Sequence, residues 1–228
     1  MKAVILAAGK GTRLGELTQN EPKPLVQVGG VPIVERLFAS LPDEITEVIM
    51  IVRYLADVLE ARLGDTVAGR PVRYVQQGSL NGTFAAILAA EPFIGKDERF
   101  MVLNGDDLYD KAELTAHLAF DATIGLKLAV WPGYETYVLD DDGFITGFRE
   151  RTEAENRDGG LTNTGAYVMN GSVFFYEGVA LPSGELGLPH TLVANHNLQP
   201  IKAVVMKNWQ PINTLEDLAA AEQFIAQR

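Results

Sequence analysis

Residues 3 to 25, AVILAAGKGTRLGELTQNEPKPL, constrain this chain more than any other stretch. A short apolar run, Val4 to Ala8, breaks at Gly9 and Gly11, and a cation follows at Arg13. A second cation, Lys23, lies ten residues further on between Pro22 and Pro24. Glycines directly after a strand let backbone N–H groups approach a phosphate with no Cβ in the way. Two fixed cations nearby balance the charge of a polyphosphate. The segment therefore reads as a strand ending in a loop built to hold a nucleoside triphosphate.

Two better-known phosphate loops fail on spacing. A P-loop needs G-x-x-x-x-G-K-[ST], whereas here Gly9 is followed by Gly11 and Gly15, and Gly15 precedes Glu16. A dinucleotide fingerprint needs G-x-G-x-x-G, but Leu14 stands where the third glycine belongs. Its acidic ribose partner is missing as well, since Val48–Val52 runs into Arg53-Tyr54.

Strand and helix patterns alternate along the first half. The pattern predicts strands at 3–8, 48–52, 72–76 and 100–103, and helices at 32–41, 55–63 and 83–90. The helix at 32–41 carries Ile33, Val34, Leu37, Phe38 and Leu41 on one face, with Pro32 in its first turn. Further on come strands at 126–131, 166–169 and 203–206, and a hairpin of 137–140 with 144–148 turning at Asp142-Gly143. The final helix runs from Thr214, with Leu215, Leu218, Ala219, Phe224 and Ile225 as its buried side. This alternation implies a Rossmann-like α/β/α fold with three layers. Its central sheet is mixed but mostly parallel, ligands bind at the carboxyl ends of the strands, and a small hairpin-containing subregion lies in the second half. The 228 residues suit one domain, 1–228, made of a nucleotide-binding half (1–110) and an acceptor-binding half with the C-terminal helix (111–228).

Charge and composition set limits. The net charge of −11 leaves no basic stripe for nucleic acid, so the first 23 residues stand out with Lys2, Lys10, Arg13 and Lys23 against Glu16 and Glu21. There is no cysteine, hence no disulfide and no thiolate metal site. The N-terminal apolar run is too short for a signal peptide and nothing reaches membrane-spanning length, so a soluble cytoplasmic protein without membrane or nucleic-acid partners is expected. His117, His190 and His196 have no metal-ligand spacing and read as structural or exposed. A second chemical feature is Asn104-Gly105-Asp106-Asp107 directly after Phe100–Leu103, a carboxylate turn at the end of a parallel strand. Asp107 reads there as a turn residue.

Leu6–Leu14, Pro22–Leu25 and Val28–Ile33 resemble, nearly position for position, the L-A-A-G-x-G-T-R-L, P-K-P/A-L and V-x-G-x-P-[IL] signature of the sugar-1-phosphate nucleotidylyltransferases. The resemblance implies transfer of a nucleotidyl group from a nucleoside triphosphate, UTP or dTTP favoured, to a sugar 1-phosphate, with release of pyrophosphate. It places Leu6, Ala7, Ala8, Gly9, Gly11, Thr12 and Arg13 around the nucleotide, and it makes Arg13, Lys23 and Asp106 catalytic. It implies Mg²⁺ on Asp106, with Asn213 as the candidate second ligand, although Asn213 and Thr214 are also ordinary helix caps and Thr214-x-x-Asp217 resembles a capping box.

Base recognition falls by the same resemblance to Gln77, Gly82 and Thr83, with Phe84 either helix core or a narrowing of the base pocket. The acceptor falls to Lys23, Glu150, Arg151, Asn163 and Gly165, with Arg151 meeting the acceptor phosphate. The chain departs from the pattern at Thr136, where relatives carry a glycine that opens the backbone to the sugar. That departure keeps open a cytidylyltransferase acting on a phosphorylated amino alcohol such as phosphocholine. A non-catalytic nucleotide-sugar-binding subunit is the third possibility, disfavoured because Arg13, Lys23 and Asp106 are all present. No hexapeptide repeat follows, so the acyltransferase β-helix that some relatives append is not expected.

Overall fold

The computed structural model describes residues 1–131 and 135–226; Gln227 and Arg228, the end of the expected final helix, lie outside the described residues. The first half comprises β1 (Lys2–Ala7), β2 (Gln27–Val28), β3 (Val31–Pro32), α1 (Ile33–Ser40), β4 (Glu47–Val52), α2 (Ala56–Leu63), β5 (Thr66–Val67), β6 (Arg70–Gln76), α3 (Thr83–Leu88), β7 (Arg99–Asn104) and β8 (Asp107–Leu108). The second half adds α4 (Lys111–Ala116), β9 (Thr123–Ala129), β10 (Thr136–Leu139), β11 (Ile145–Arg149), α5 (Glu153–Asp158), β12 (Gly160–Asn170), α6 (Leu188–Ala194), β13 (Lys202–Val205), β14 (Gln210–Pro211) and α7 (Leu215–Ala226).

Eight strands form one sheet in the order β13-β9-β12-β7-β1-β4-β6-β5. The central run β7-β1-β4-β6 is parallel, β12 and β5 run antiparallel to their neighbours, and β13 is parallel to β9. The period-2 geometry of a strand explains the layers. Ala3, Ile5 and Ala7 of β1, with Val48, Met50 and Val52 of β4, face a core shared with α1, α2 and α4. Val4, Ile49 and Ile51 face the opposite core, which holds Phe84 and Ile87 of α3 and Leu188 and Leu192 of α6. Strands buried on both sides must be apolar at every position, and EVIMIV is so from Val48 onward. The three-layer fold expected from the sequence is the one found.

Several local expectations shift. The expected strand at 126–131 begins earlier, as β9, and β12 extends to eleven residues where only 166–169 was expected. The helices α4, α5 and α6 had no periodic signal; Asp110 caps α4, and a Thr152–Glu155 capping box opens α5. On α7, Leu215 is 55% exposed and Ala219 faces outward, because the helix packs through Leu218, Ala221, Phe224 and Ile225 onto Leu14, Val28, Ile33, Leu108 and Ile212. Phe84 is helix core, 2% exposed. Among the described residues no helix is long and apolar enough to cross a membrane.

The topology fixes where a ligand can enter. From β1 the chain progresses to one side through β4 and β6, then crosses back to lay β7 on the other side of β1. The carboxyl ends of β1 and β7 therefore flank a topological switch point, the crevice in which open α/β sheets bind ligands.

Candidate functional site

Both chemical signals of the sequence sit at that crevice. The loop after β1 carries Gly9 to Arg13, and the turn after β7 carries Asp106. They are held together at Gly105, whose N–H donates to the Leu6 carbonyl at 2.9 Å. A Cβ on Gly105 would lie 2.8 Å from that same carbonyl oxygen, so only glycine lets the two loops approach this closely. Gly11 adopts φ +64° and packs against the aliphatic stem of Lys23, where a Cβ would come within 3.0 Å. A cavity of about 220 Å³ opens here, lined by Leu6, Ala7, Gly9, Gly11 and Thr12 together with Arg13, Lys23, Asp106 and Asn213.

Lys23 sits in a single tight turn, Lys23–Leu25, entered from extended Pro22, and its side chain is only 7% exposed. Its ammonium donates to Asp106 Oδ2 and, at 3.2 Å, to Asn213 Oδ1. Arg13 Nη2 donates to the same Asn213 oxygen at 3.1 Å. Four groups from segments up to 200 residues apart thus meet at one point. The Asn213 amide oxygen faces them because its backbone N–H and that of Thr214 are taken by Asp217, while Thr214 Oγ1 accepts from the Asp217 N–H. Cap and site residue coexist, the backbone serving one role and the side chain the other.

Asp106 and Asn213 present hard oxygen donors that already converge on a cation, the Lys23 ammonium. That donor set suits Mg²⁺, which takes one or two protein ligands and completes its shell with phosphate oxygens and water. Among the described residues no cluster of three or more His, Cys, Asp or Glu side chains could hold a metal by itself.

The remaining expected residues are not among those that line this cavity. Ala8 follows β1 beside Gly9. Gln77 continues β6 through its N–H to the Val52 carbonyl at 2.9 Å, and its side chain donates to the Leu80 carbonyl at 3.0 Å. Gly82, at φ +106°, is pressed against the Leu186 backbone, and the Thr83 hydroxyl accepts from the Leu188 N–H at 2.9 Å, so that hydroxyl anchors a loop. Asn163 and Gly165 lie on β12 on the other flank, beside β7. Gly165 is held at φ +71°, its N–H donating to Asn163 Oδ1 at 2.7 Å, and Asn104 occupies the space a Cβ would need.

The expectations at Arg151 and Thr136 are corrected. Arg151 does not reach the crevice: it is buried, donating to the Ala129 carbonyl at 2.9 Å, to the Gly160 carbonyl and to Thr162 Oγ1, where it ties β9 to β12. Glu150 is exposed beside it, and its carbonyl accepts from Arg149. Thr136 does not obstruct a pocket; it is buried, with its hydroxyl donating to the Leu161 carbonyl at 3.3 Å.

Asp107 is no turn residue but is 3% exposed on β8. Burial, with the neighbouring Asp106 charge, holds its carboxyl well above the ordinary carboxylate range. The alternation Asp107-Leu108-Tyr109 after Gly105 was the signal that the chain re-enters a strand there. Of the histidines, His117 is fully buried on Thr123 Oγ1 at 2.7 Å, and burial pushes it down to about 4. His190 and His196 are half-buried and away from the crevice lining.

Comparison with known proteins places the chain in a family. A family model described as nucleotidyl transferase matches residues 2–228. The UTP–glucose-1-phosphate uridylyltransferase AglF of Haloferax volcanii is 31% identical over 236 residues, covering 98% of this chain and 96% of that protein. The bifunctional protein GlmU of Methanocaldococcus jannaschii is 31% identical over 176 residues, covering 76% of this chain but only 41% of that longer protein, so the chain spans less than half of that relative. In three dimensions the inositol-1-phosphate CTP transferase of T. maritima superposes with a TM-score of 0.79 at 21% identity, over 99% of this chain and 95% of that one.

Proposed function

The chain belongs to the nucleotidyl transferase family, and from that premise we propose that it transfers a nucleotidyl group from UTP or dTTP to a sugar 1-phosphate, forming a nucleotide sugar and pyrophosphate. The observation that carries the reading is the meeting of Arg13, Lys23, Asp106 and Asn213 at the switch point beneath a glycine loop. The uridylyltransferase AglF, aligned over nearly its whole length, supports the sugar phosphate and the pyrimidine base. Residues 1–110 supply the nucleotide side and 111–228 the acceptor side.

An oxygen of the acceptor phosphate attacks the α-phosphorus in line. The new O–P bond forms as the bond to the β-phosphate oxygen breaks, and pyrophosphate leaves with that electron pair. The acceptor phosphate is ionised at neutral pH, so no protein nucleophile or general base is required. The work of the protein is to hold two anions together and to meet charge as it develops. Backbone N–H groups of Gly9 to Thr12 and the Arg13 guanidinium hold the triphosphate. Lys23, lifted from Asp106, lies between donor and acceptor phosphates. Asp106 and Asn213 would hold Mg²⁺, which when bound neutralises charge on the α-phosphate. Gln77 and the Gly82–Thr83 turn face the base, and Asn163 and Gly165 face the acceptor.

With Arg151 buried, Lys23 is the cation left for the acceptor phosphate, whether that phosphate belongs to a sugar or to phosphocholine, so the cytidylyltransferase reading stays beside the first. Pyrophosphate release over UTP, dTTP, CTP, GTP and ATP, each with glucose 1-phosphate, other sugar 1-phosphates or phosphocholine, decides between them. Release with UTP or dTTP and a sugar 1-phosphate is expected. Release only with CTP and phosphocholine would select the second reading, and no release with any pair would leave a binding subunit.

A further inference from the structure

We propose that Asp107, acting through Trp209, is the positioning residue that sets Asn213 opposite Asp106. The inference rests on the reading of those two residues as metal ligands given above.

Asp106 and Asn213 come from segments with no local connection. Asp106 is fixed by its own turn at Gly105. Asn213 lies between β14 and α7; the α7 cap at Asp217 holds its backbone N–H, and the position of that cap relative to Asp106 depends on how β14 is registered. What joins the two segments is Asp107. Its Oδ2 accepts from Trp209 Nε1 at 3.1 Å and from Asn104 Nδ2 at 3.2 Å, and the Tyr109 hydroxyl stands at 3.5 Å. The backbone repeats the join, since Pro211 pairs with Asp107 and Gln210 with Leu108 in the two-stranded β8–β14 ladder.

Trp209 is held from its other side. It is 3% exposed, its carbonyl accepts from Lys127 Nζ at 2.7 Å, and its ring lies 6.1 Å from that of Trp131. A two-residue ladder is weak and slides readily; the carboxylate–indole bond fixes its register, and with it the residue two places beyond Pro211.

The chemistry of the residue supports a placing role over a packing one. A leucine at 107 would bury apolar surface without penalty, whereas a carboxylate in a dry site costs free energy even when hydrogen-bonded. Two N–H donors from different segments, Trp209 and Asn104, converge on one oxygen, an arrangement no apolar side chain reproduces, while the Tyr109 hydroxyl gives its proton to the Thr164 carbonyl at 2.9 Å. Through Asn104 the same oxygen also holds the side chain packed over Gly165, so the acceptor flank is registered to the same point.

The test uses Trp209→Phe, which removes only the indole donor, with Asp107→Leu and the conservative Asp107→Asn. Three readouts are taken: kcat and KM with the triphosphate that supports turnover in the panel above, Mn²⁺ bound in the presence of that triphosphate without acceptor, followed by EPR, and the melting temperature. Trp209→Phe and Asp107→Leu are expected to lower kcat and Mn²⁺ affinity at least tenfold, with the triphosphate KM within threefold. Asp107→Asn, which keeps an acceptor for the indole, stays within threefold of wild type on both.

A fall in melting temperature with wild-type Mn²⁺ affinity and kcat would overturn the proposal, as would lost activity at unchanged Mn²⁺ affinity. Should Asp107→Leu fail to fold, Trp209→Phe decides alone. Failure of the functional reading looks different, because wild-type protein would then release pyrophosphate only with CTP and phosphocholine, or with no pair at all.

Discussion

Replacing Lys23 with methionine should make the protein bind a divalent ion more tightly when no nucleotide is present. The ammonium rests on both oxygens assigned to the metal, so an ion arriving alone must first displace it. The lost contacts are a charge-assisted bond to Asp106, worth about 1.5–3 kcal/mol net, and a weaker one to Asn213, together about 3 kcal/mol. That is a factor of about 10² in affinity. Asp106 remains 29% exposed in the folded protein, so water can solvate it in the variant and folding is retained. Mn²⁺ titration by EPR without nucleotide should show the variant binding about 100-fold more tightly. With a triphosphate present the gap should close, because the phosphates give the wild-type ammonium a new partner. Lys10→Met controls for loss of a positive charge from the same loop, since Lys10 is exposed above the Tyr54 ring; a change under threefold is expected. Equal Mn²⁺ affinity in wild type and Lys23→Met would refute the reasoning, as would an equal gain from Lys10→Met.

Arg13→Ala should lower kcat by roughly 10²–10³, the scale of losing one preorganised contact to transition-state charge, and Asp106→Ala should abolish divalent-dependent turnover; a pyrophosphate-release assay checks both. Because burial holds His117 at about 4 against an unfolded value of 6.5, the unfolded chain takes the proton first: stability is complete above about pH 6.5 and falls by at most about 3 kcal/mol as pH drops toward 4. Urea unfolding from pH 7 to 4.5 should show a shallower slope in His117→Gln than in wild type. Arg151→Ala should cost about 2 kcal/mol of stability by leaving strand carbonyls unpaired while the acceptor KM stays within threefold; thermal unfolding and acceptor saturation curves measure the two effects.

What was legible in the sequence was local. A strand that must be buried, glycines that must approach closely and a lysine between prolines are properties of neighbouring residues, and each was found where expected. Asp106 was legible for the same reason, as a carboxylate on a turn after an apolar run. Asp107 was not, because its character comes from Trp209, which precedes β14, and β14 pairs with the strand of Asp107 only in the folded chain. Arg151 misled by the same route: beside Glu150 the resemblance gives it to the acceptor phosphate, yet its partners are carbonyls of β9 and β12, a pairing no short-range pattern encodes. On α7 the apolar residues exceed what one face can hold, so only the surface it meets decides that Ala221 turns inward and Leu215 outward.

The charge of the molecule explains why the site is built this way. A triphosphate approaching a protein of net charge −11 meets repulsion at long range, and at physiological salt fields fade over about 8 Å. Attraction must then come from contacts, which requires cations at fixed positions rather than a diffuse basic surface. Fixing a cation in a dry pocket demands a counter-charge while the pocket is empty, and Asp106 supplies it to Lys23. On the proposed function, the same carboxylate would be free to hold a metal ion once the phosphates claim the ammonium. One acid would thus serve two cations in turn, and that arrangement needs Asn213 held where both can share it, the task we assign to the buried join between Asp107 and Trp209.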